Sequence, residues 1–430
     1  MRVALRPDRE VEIRVRRFAA LLLLSTLFLS PFLSPFLSAG ALEAADVAAF
    51  AEIGSMTQQI EKITGWKSKR KVPAAMMSKK QLDVYLKARL TEDVKPGELR
   101  AEEVTLRRLG FIGDQTDLKQ LLLDVMNEQA AAFYDTRKKR LYLMESTGER
   151  GGDQMQSTVL VHELSHALAD QQHGLYRFMQ QSGLSDDEHL ARMAVLEGQA
   201  TWLMSEYMAL QNGASLLGRP EVVVMMVRAS SSSSSEFPAL DAAPLYLQET
   251  FLFPYSQGML FQSKVIEKLG QSGYSEVFRR PPTTTQQILH PDLYLANRQP
   301  PNLTLPPGKF RDPVLTDGTL GELDHQILLR QFKVADWAAI AAGWSACRYR
   351  VLEDKRRTHT SLIYVSEWRD DSAAKAFFAA YRNSILPVKL KQLNFRQDGE
   401  ALVTGKAADG YFRLERQGRT VTVLEGLQVE

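Results

Sequence analysis

Cysteine is almost missing from this chain: Cys347 is the only one among 430 residues. No intramolecular disulfide framework can form, and a cysteine-rich zinc site is excluded as well. Histidine is also scarce, with seven in the chain, so any transition metal must be held by histidines and carboxylates. An excess of one charge sign is lacking. Lys and Arg number 53 against 51 Asp and Glu, a net +2, so the overall balance does not point to nucleic acid and no such partner is expected. The densest basic run, Lys67, Lys69, Arg70 and Lys71, has no aromatic or Gly-rich recognition motif around it. It reads as a solvated loop. No internal repeat is evident. A chain with 44% hydrophobic and 24% charged residues has the texture of an ordinary globular protein.

One long apolar run is present. Arg14, Arg16 and Arg17 precede an uncharged stretch, residues 18–42, rich in Leu and Phe and closed by small residues around Ala39 and Ala44–Ala45. Positive flank, apolar core and small-residue exit describe a secretory signal over residues 1–45. The alternative is an uncleaved membrane anchor, because the stretch is long enough to span a bilayer. Pro31 and Pro35 make a regular helix there less comfortable. Either way the rest of the chain is delivered across a membrane, to the periplasm, the envelope or the extracellular space. The missing disulfides do not argue against export, since a domain of this size holds together by its core.

The remainder reads as α+β. Residues 46–130 alternate amphipathic helical stretches (47–63, 78–90 and 117–129) with polar breaks such as Lys95-Pro96-Gly97. This helical lobe could act as a removable propeptide or be a plain part of the fold. Residues 131–144 then read as strand, charged turn at 135–139, strand: a β-hairpin. Helices follow over 155–172 and 187–211, the second with Asn212-Gly213 as its stop. The serine run at 230–235 reads as a mobile surface loop. Helical patterning resumes over 255–269. A core of residues 131–300 gives way to a proline-rich linker at 301–314. Residues 315–430 alternate as strands at 347–352 and 361–368, a helix at 372–383 and a hairpin at 410–425, which suggests a separate α+β domain.

The central motif is His162-Glu163-Leu164-Ser165-His166. Two histidines at i and i+4 lie one turn apart on one helix face, so their imidazoles can converge on one ion. Zinc suits them, and a catalytic zinc takes three protein ligands and keeps one position for water. Glu163 sits beside the first ligand, where its carboxylate can reach that water. Val159, Leu160, Val161, Leu164 and Leu168 surround the pair, so the helix is expected to be buried on most sides.

The third ligand must come from elsewhere. In the next helix Glu197 falls on the face of Leu190, Met193, Ala194, Ala200, Met204, Tyr207 and Met208. An acid there is costly to bury unless it is paired or bound to metal. A salt bridge to an arginine such as Arg192 is the plain alternative. His189 is the rival ligand, although its neighbours Asp186, Asp187 and Glu188 look solvated.

With these residues in view, His162-Glu163-Leu164-Ser165-His166-Ala167 followed by Glu197-Gly198-Gln199-Ala200 resembles the gluzincins, the superfamily of the thermolysin-like peptidases. Further segments are similar to a group of exported, largely uncharacterised bacterial and archaeal metallopeptidase-like proteins: Phe133-Tyr134-Asp135, the run from Val161 to Gln171, Tyr255-Ser256-Gln257-Gly258, and Thr285 to Pro291. The resemblance spans roughly residues 130–295 and leaves the tail uncovered. It implies a mostly helical zincin-like catalytic domain with a small β-hairpin or sheet. It also implies His162, His166 and Glu197 as zinc ligands, Glu163 as general base and acid, and the hairpin as the edge strand of a substrate cleft. One departure stands out. Thermolysin-like enzymes carry an acid four positions after the ligand Glu to orient a ligand His, and here that position is Thr201; Asp170 is a candidate replacement.

An exported zinc peptidase acting on a peptide or protein substrate is therefore the leading expectation, and its oxyanion donor is sought in Tyr255 or His290, both in resembling segments. An aminopeptidase would need acids to grip the free amine, and no Gly-rich exopeptidase motif is visible. A third reading is a catalytically inactive peptidase-fold protein that binds or assembles in the envelope.

Overall fold

The computed structural model describes residues 50–428 except 96, 146–152, 233–236 and 307–310. The proposed signal or anchor at 1–45 lies outside the described residues. Helices of ten or more residues are numbered here, and shorter ones are given by their residues.

Local signals set most of the element ends. Helix α1 (Ile53–Thr64) stops at Gly65, whose φ of 74° is the left-handed cap that glycine adopts without strain. After β1 (Ala74–Met77), Ser78 and Gln81 close a capping box on α2 (Lys79–Asp93). Helix α3 (Glu98–Leu109) ends at Gly110, and Asp117 caps α4 (Leu118–Gln129). Strands β2 (Ala132–Asp135) and β3 (Arg140–Met144) form the expected hairpin, with Phe133 opposite Tyr142. Strand β1 adds a third, parallel strand beyond β3, so the sheet order is β1-β3-β2. The stretch before the hairpin thereby belongs to the sheet that flanks the site. Its basic loop is exposed and is tied to the rest by Gln171, which accepts from the Lys69 and Arg70 N–H groups.

Two long helices form the centre. Helix α5 (Asp153–His173) is buried from Thr158 to Asp170. Helix α6 (Asp186–Gln211), capped by Ser185, is buried without interruption from His189 to Glu206. A helix covered all round must be apolar all round apart from paired or functional groups, which puts Glu197 in sharp relief. Helix α7 (Pro220–Ser232) follows, and it takes in Ser230, Ser231 and Ser232. The serine run is therefore partly the last turn of a helix, not wholly a loop, and Ser233 to Ser235 lie outside the described residues. Helix α8 (Leu245–Leu269) starts ten residues before the helical pattern read from the sequence, with Pro254 inside it. None of the described helices is long and apolar enough to cross a membrane.

Short helices at Thr285–Leu289 and Pro291–Leu295 lead to the C-terminal part. There β4 (Val314–Gly318), α9 (Glu322–Gln331), β5 (Trp344–Glu353), β6 (Thr360–Trp368), α10 (Asp371–Ala380), β7 (Asn394–Asp398), β8 (Leu402–Ala407), β9 (Gly410–Gln417) and β10 (Thr420–Leu427) follow in turn. The strands make one antiparallel sheet in the order β4-β5-β6-β10-β9-β8-β7. The fold is thus mixed α+β. The C-terminal part is closely docked: one cluster of buried apolar residues runs from Met56 through Leu196 to Val423. Arg100 pairs with Glu353 at 2.6 Å, Arg108 pairs with Asp409, and Gln286 donates to the Trp344 carbonyl at 2.8 Å.

Candidate metal centre

Helix α5 presents His162 and His166 on one face, and α6 brings Glu197 against them. The two imidazole Nε2 atoms lie 3.1 Å apart. Glu197 Oε2 is 3.2 Å from His162 Nε2 and 3.4 Å from His166 Nε2. All three side chains are buried, Glu197 completely, and they are the one group of this kind among the described residues whose ligand atoms converge. In a tetrahedron with metal–ligand bonds of about 2.0–2.1 Å, neighbouring donor atoms sit about 3.3 Å apart. The triangle fits one small cation. Three buried polar atoms this close must share a proton or a cation, because burial removes the water that would otherwise solvate them.

The protonation states agree with that use. Burial lowers the His162 pKa and keeps its imidazole neutral. Burial would raise the Glu197 pKa, but positive charge at His166 and hydrogen bonds from both imidazoles outweigh it, so a cation at this spot holds the carboxyl ionised. Neutral imidazole and ionised carboxylate are the forms that bind metal.

Glu163 lies close enough to feel the Glu197 charge and also reaches the hairpin. Its Oε2 accepts the Tyr134 N–H of β2 at 2.8 Å. Burial first, and then the Glu197 charge, raise its pKa well above the ordinary carboxylate value, as suits a proton carrier. Tyr255 of α8 completes the group. Its ring stacks on His162 at 6.2 Å between centroids and 25° between planes. Burial, then Glu197 by charge and hydrogen bond, keep its phenol protonated, so it remains a donor.

Other expected residues lie elsewhere. His290 places Nε2 2.9 Å from Glu322 Oε1 of α9, and that bond raises its pKa. It pairs with α9 and does not belong to the trio. His189 is buried but stays outside the converging group, and its neighbour Asp187 is buried too rather than solvated. Asp187 accepts from the Thr285 N–H and hydroxyl at 3.1 and 2.6 Å. Arg192 donates to the Phe178 carbonyl, Gln181 and Glu188, not to Glu197. Asp170 does not take over the orienting role offered by Thr201's position. It accepts from the Tyr134 hydroxyl at 2.8 Å, Lys139 at 2.9 Å and the Leu175 N–H at 3.0 Å, and so clamps the hairpin to α5.

Three residues of the site stand in the resembling segments but have no role in the sequence reading. Tyr134 touches Glu163 through its backbone and Asp170 through its hydroxyl, and nothing in an isolated strand marks that. Gly198 and Gly258 are more legible, because glycine in a helix interior costs about 1 kcal/mol and calls for a reason. The reason is contact between α6 and α8: a Cβ on Gly198 would lie 2.0 Å from the Gly258 carbonyl carbon, and one on Gly258 would lie 2.2 Å from the Ala194 oxygen.

Comparison with known proteins reaches only the tail. Residues 312–430 match the family described as a domain of unknown function (DUF8575). No curated protein and no solved structure matches the chain.

Proposed function

We propose that this chain is an exported, zinc-dependent peptidase of the gluzincin type, with a zincin-like catalytic unit in residues 131–300. The observation that carries the proposal is the meeting of His162 Nε2, His166 Nε2 and Glu197 Oε2 within 3.1–3.4 Å, with Glu163 next to the first histidine. Zinc held by these three would supply Lewis acidity toward a peptide carbonyl and lower the pKa of water toward neutrality.

The chain's own residues provide the rest. Glu163, with its raised pKa, takes a proton from the attacking water and passes it to the departing amine; such transfer contributes about 10²–10⁴-fold. The Tyr255 phenol donates to the oxyanion that forms on the carbonyl, a contribution of about 10²–10³-fold for one donor. Strand β2 is an end strand of its sheet, with all four residues buried, so an extended substrate adds to its edge by backbone hydrogen bonds only once that cover is displaced; such pairing gives broad sequence tolerance. The Tyr134 N–H on β2 tethers Glu163 to that same edge, so the base and the docking strand keep a fixed relation.

Hydrolysis of an unfolded polypeptide by the purified chain tests the proposal. Cleavage should stop with a chelator and return with added zinc. A chain that binds zinc at the trio and cleaves no peptide would favour the inactive binding or assembly reading.

A further inference from the structure

Seven large apolar side chains are exposed among the described residues, and three of them, Leu217, Val224 and Met225, fall within residues 217–225. Single exposed apolar residues are ordinary, but a group of them in one short stretch marks a contact surface. Helix α7 packs on α8, and its Val223 and Val227, one turn apart, are buried. Val224, Met225 and Arg228 are exposed on the other side, and Leu217 and Arg219 are exposed in the turn that leads into the helix. Neither arginine has an ion-pair partner among the described residues, and Glu221, in the first turn, is the single acid of α7. Apolar side chains flanked by unpaired arginines suit the surface of an anionic bilayer: the apolar groups enter the acyl boundary and the guanidinium groups meet lipid phosphates.

The place where the chain enters the fold singles out that partner. Helix α1 packs on α5 and α6, and Glu52 is its N-cap residue. Burial first, and then the Glu52 charge, raise the Tyr207 pKa, which puts the start of α1 beside Tyr207 of α6. The adjacent Glu206 accepts the Ser215 hydroxyl and the Leu216 N–H, both at 2.6 Å. Those bonds fold the turn carrying Leu217 back onto the same end of α6. The chain thus enters beside the exposed group. Only residues 43–49 separate Phe50 from the apolar run at 18–42, a reach of at most about 25 Å. A bilayer that takes up the run is therefore kept next to this face.

We propose that Leu217, Val224 and Met225, with Arg219 and Arg228, form a membrane-contact face that rests in the headgroup region of the anionic bilayer entered by the run at 18–42. The inference is independent of the zinc reading and rests on the delivery of that run to a membrane.

Fluorescence of the full chain in vesicles tests it. Cys347 is buried, so a thiol-reactive nitrobenzoxadiazole label goes to an introduced cysteine. In vesicles of phosphatidylglycerol and phosphatidylcholine, labels at Leu217→Cys and Met225→Cys should shift their emission to the blue and be quenched by doxyl groups on the lipid chains. Labels at Val84→Cys on α2 and Val388→Cys in the C-terminal part, where the native side chains are at least as exposed, should show neither effect. Each of Arg219→Gln and Arg228→Gln should lower the docked-to-undocked ratio by about 5-fold on the anionic vesicles, and vesicles of phosphatidylcholine alone should weaken quenching as well. Quenching at 217 and 225 no greater than at 84 and 388 overturns the assignment. So does cross-linking between two chains through residue 225 in lipid-free detergent solution, which gives the face to a second copy, and so does a full chain that fails to float with the vesicles. Zinc content should match wild type in every labelled chain, so a failure here leaves the zinc reading intact.

Discussion

Replacing Gly198 with Ala should separate the two helices that carry Glu197 and Tyr255. An added Cβ would sit 2.0, 2.3 and 2.4 Å from the Gly258 carbonyl carbon, oxygen and Cα, where ordinary contact begins at 3.4 Å. The obstacle is backbone, which no rotamer change can move. The local gap between α6 and α8 must therefore open by 3.4 − 2.0 = 1.4 Å. Overpacking costs about 1–3 kcal/mol, and a backbone clash between long helices belongs at the upper end. Alanine returns about 1 kcal/mol through its better helix propensity, so the net loss should be roughly 2 kcal/mol. Metal ligands tolerate only about 0.2 Å of error, and Glu197 is the adjacent residue, so zinc affinity should fall as well. Urea unfolding and zinc titration would measure both. Gly54→Ala is the matched control: it lies in α1 with nothing within 4 Å of the added Cβ and should be neutral or stabilising. If Gly198→Ala matches wild type in unfolding midpoint and zinc affinity, the close approach of α6 and α8 is misread.

His162→Ala and His166→Ala should each be purified without stoichiometric zinc, which elemental analysis would show; full occupancy in either would remove that residue from the ligand set. Asp187 supplies a pH dependence. Burial, reinforced by the Glu322 and Asp186 charges and offset by the Thr285 hydrogen bonds, pushes its carboxyl up to about 7 from an ordinary 3.8. A raised carboxyl pKa favours the folded state at low pH, and that advantage is lost as pH rises from about 4 through about 7. At about 1.36 kcal/mol per pH unit the loss is on the order of 4 kcal/mol. Asp187→Asn should flatten the decline of melting temperature over that window, and an unchanged slope would exclude Asp187 as its source. N-terminal sequencing of the protein recovered from producing cells should start near Ala45 or Asp46, whereas an intact Met1 in the membrane fraction would favour the anchor.

What the sequence made legible was local. The histidine pair one turn apart, the hairpin at Phe133 and Tyr142, and the stop at Asn212 are all short-range patterns. What stayed hidden depended on distant partners. Strand β1 has four residues and exists because β3, far along the chain, pairs with it. Pro254 masked the first ten residues of α8, and β7, exposed along its whole length, offered no alternation to read. Asp187 looked like a solvated helix-start acid, yet Thr285 covers it and Gly321 leaves it room, since a Cβ there would fall 1.8 Å from Asp187 Oδ1. His290 sits in a segment that resembles the catalytic region, but a tertiary partner, Glu322, claims it.

Parallel measurement of zinc content and peptide turnover in wild type and Glu163→Gln tests the central claim most directly. Glu163 contacts the Tyr134 N–H and is not one of the three converging ligands, so the variant should retain one zinc per chain. It should lose about 10²–10⁴-fold in turnover, the usual range for a removed general base. A Glu163→Gln protein that keeps its zinc and hydrolyses peptides at the wild-type rate would contradict the account.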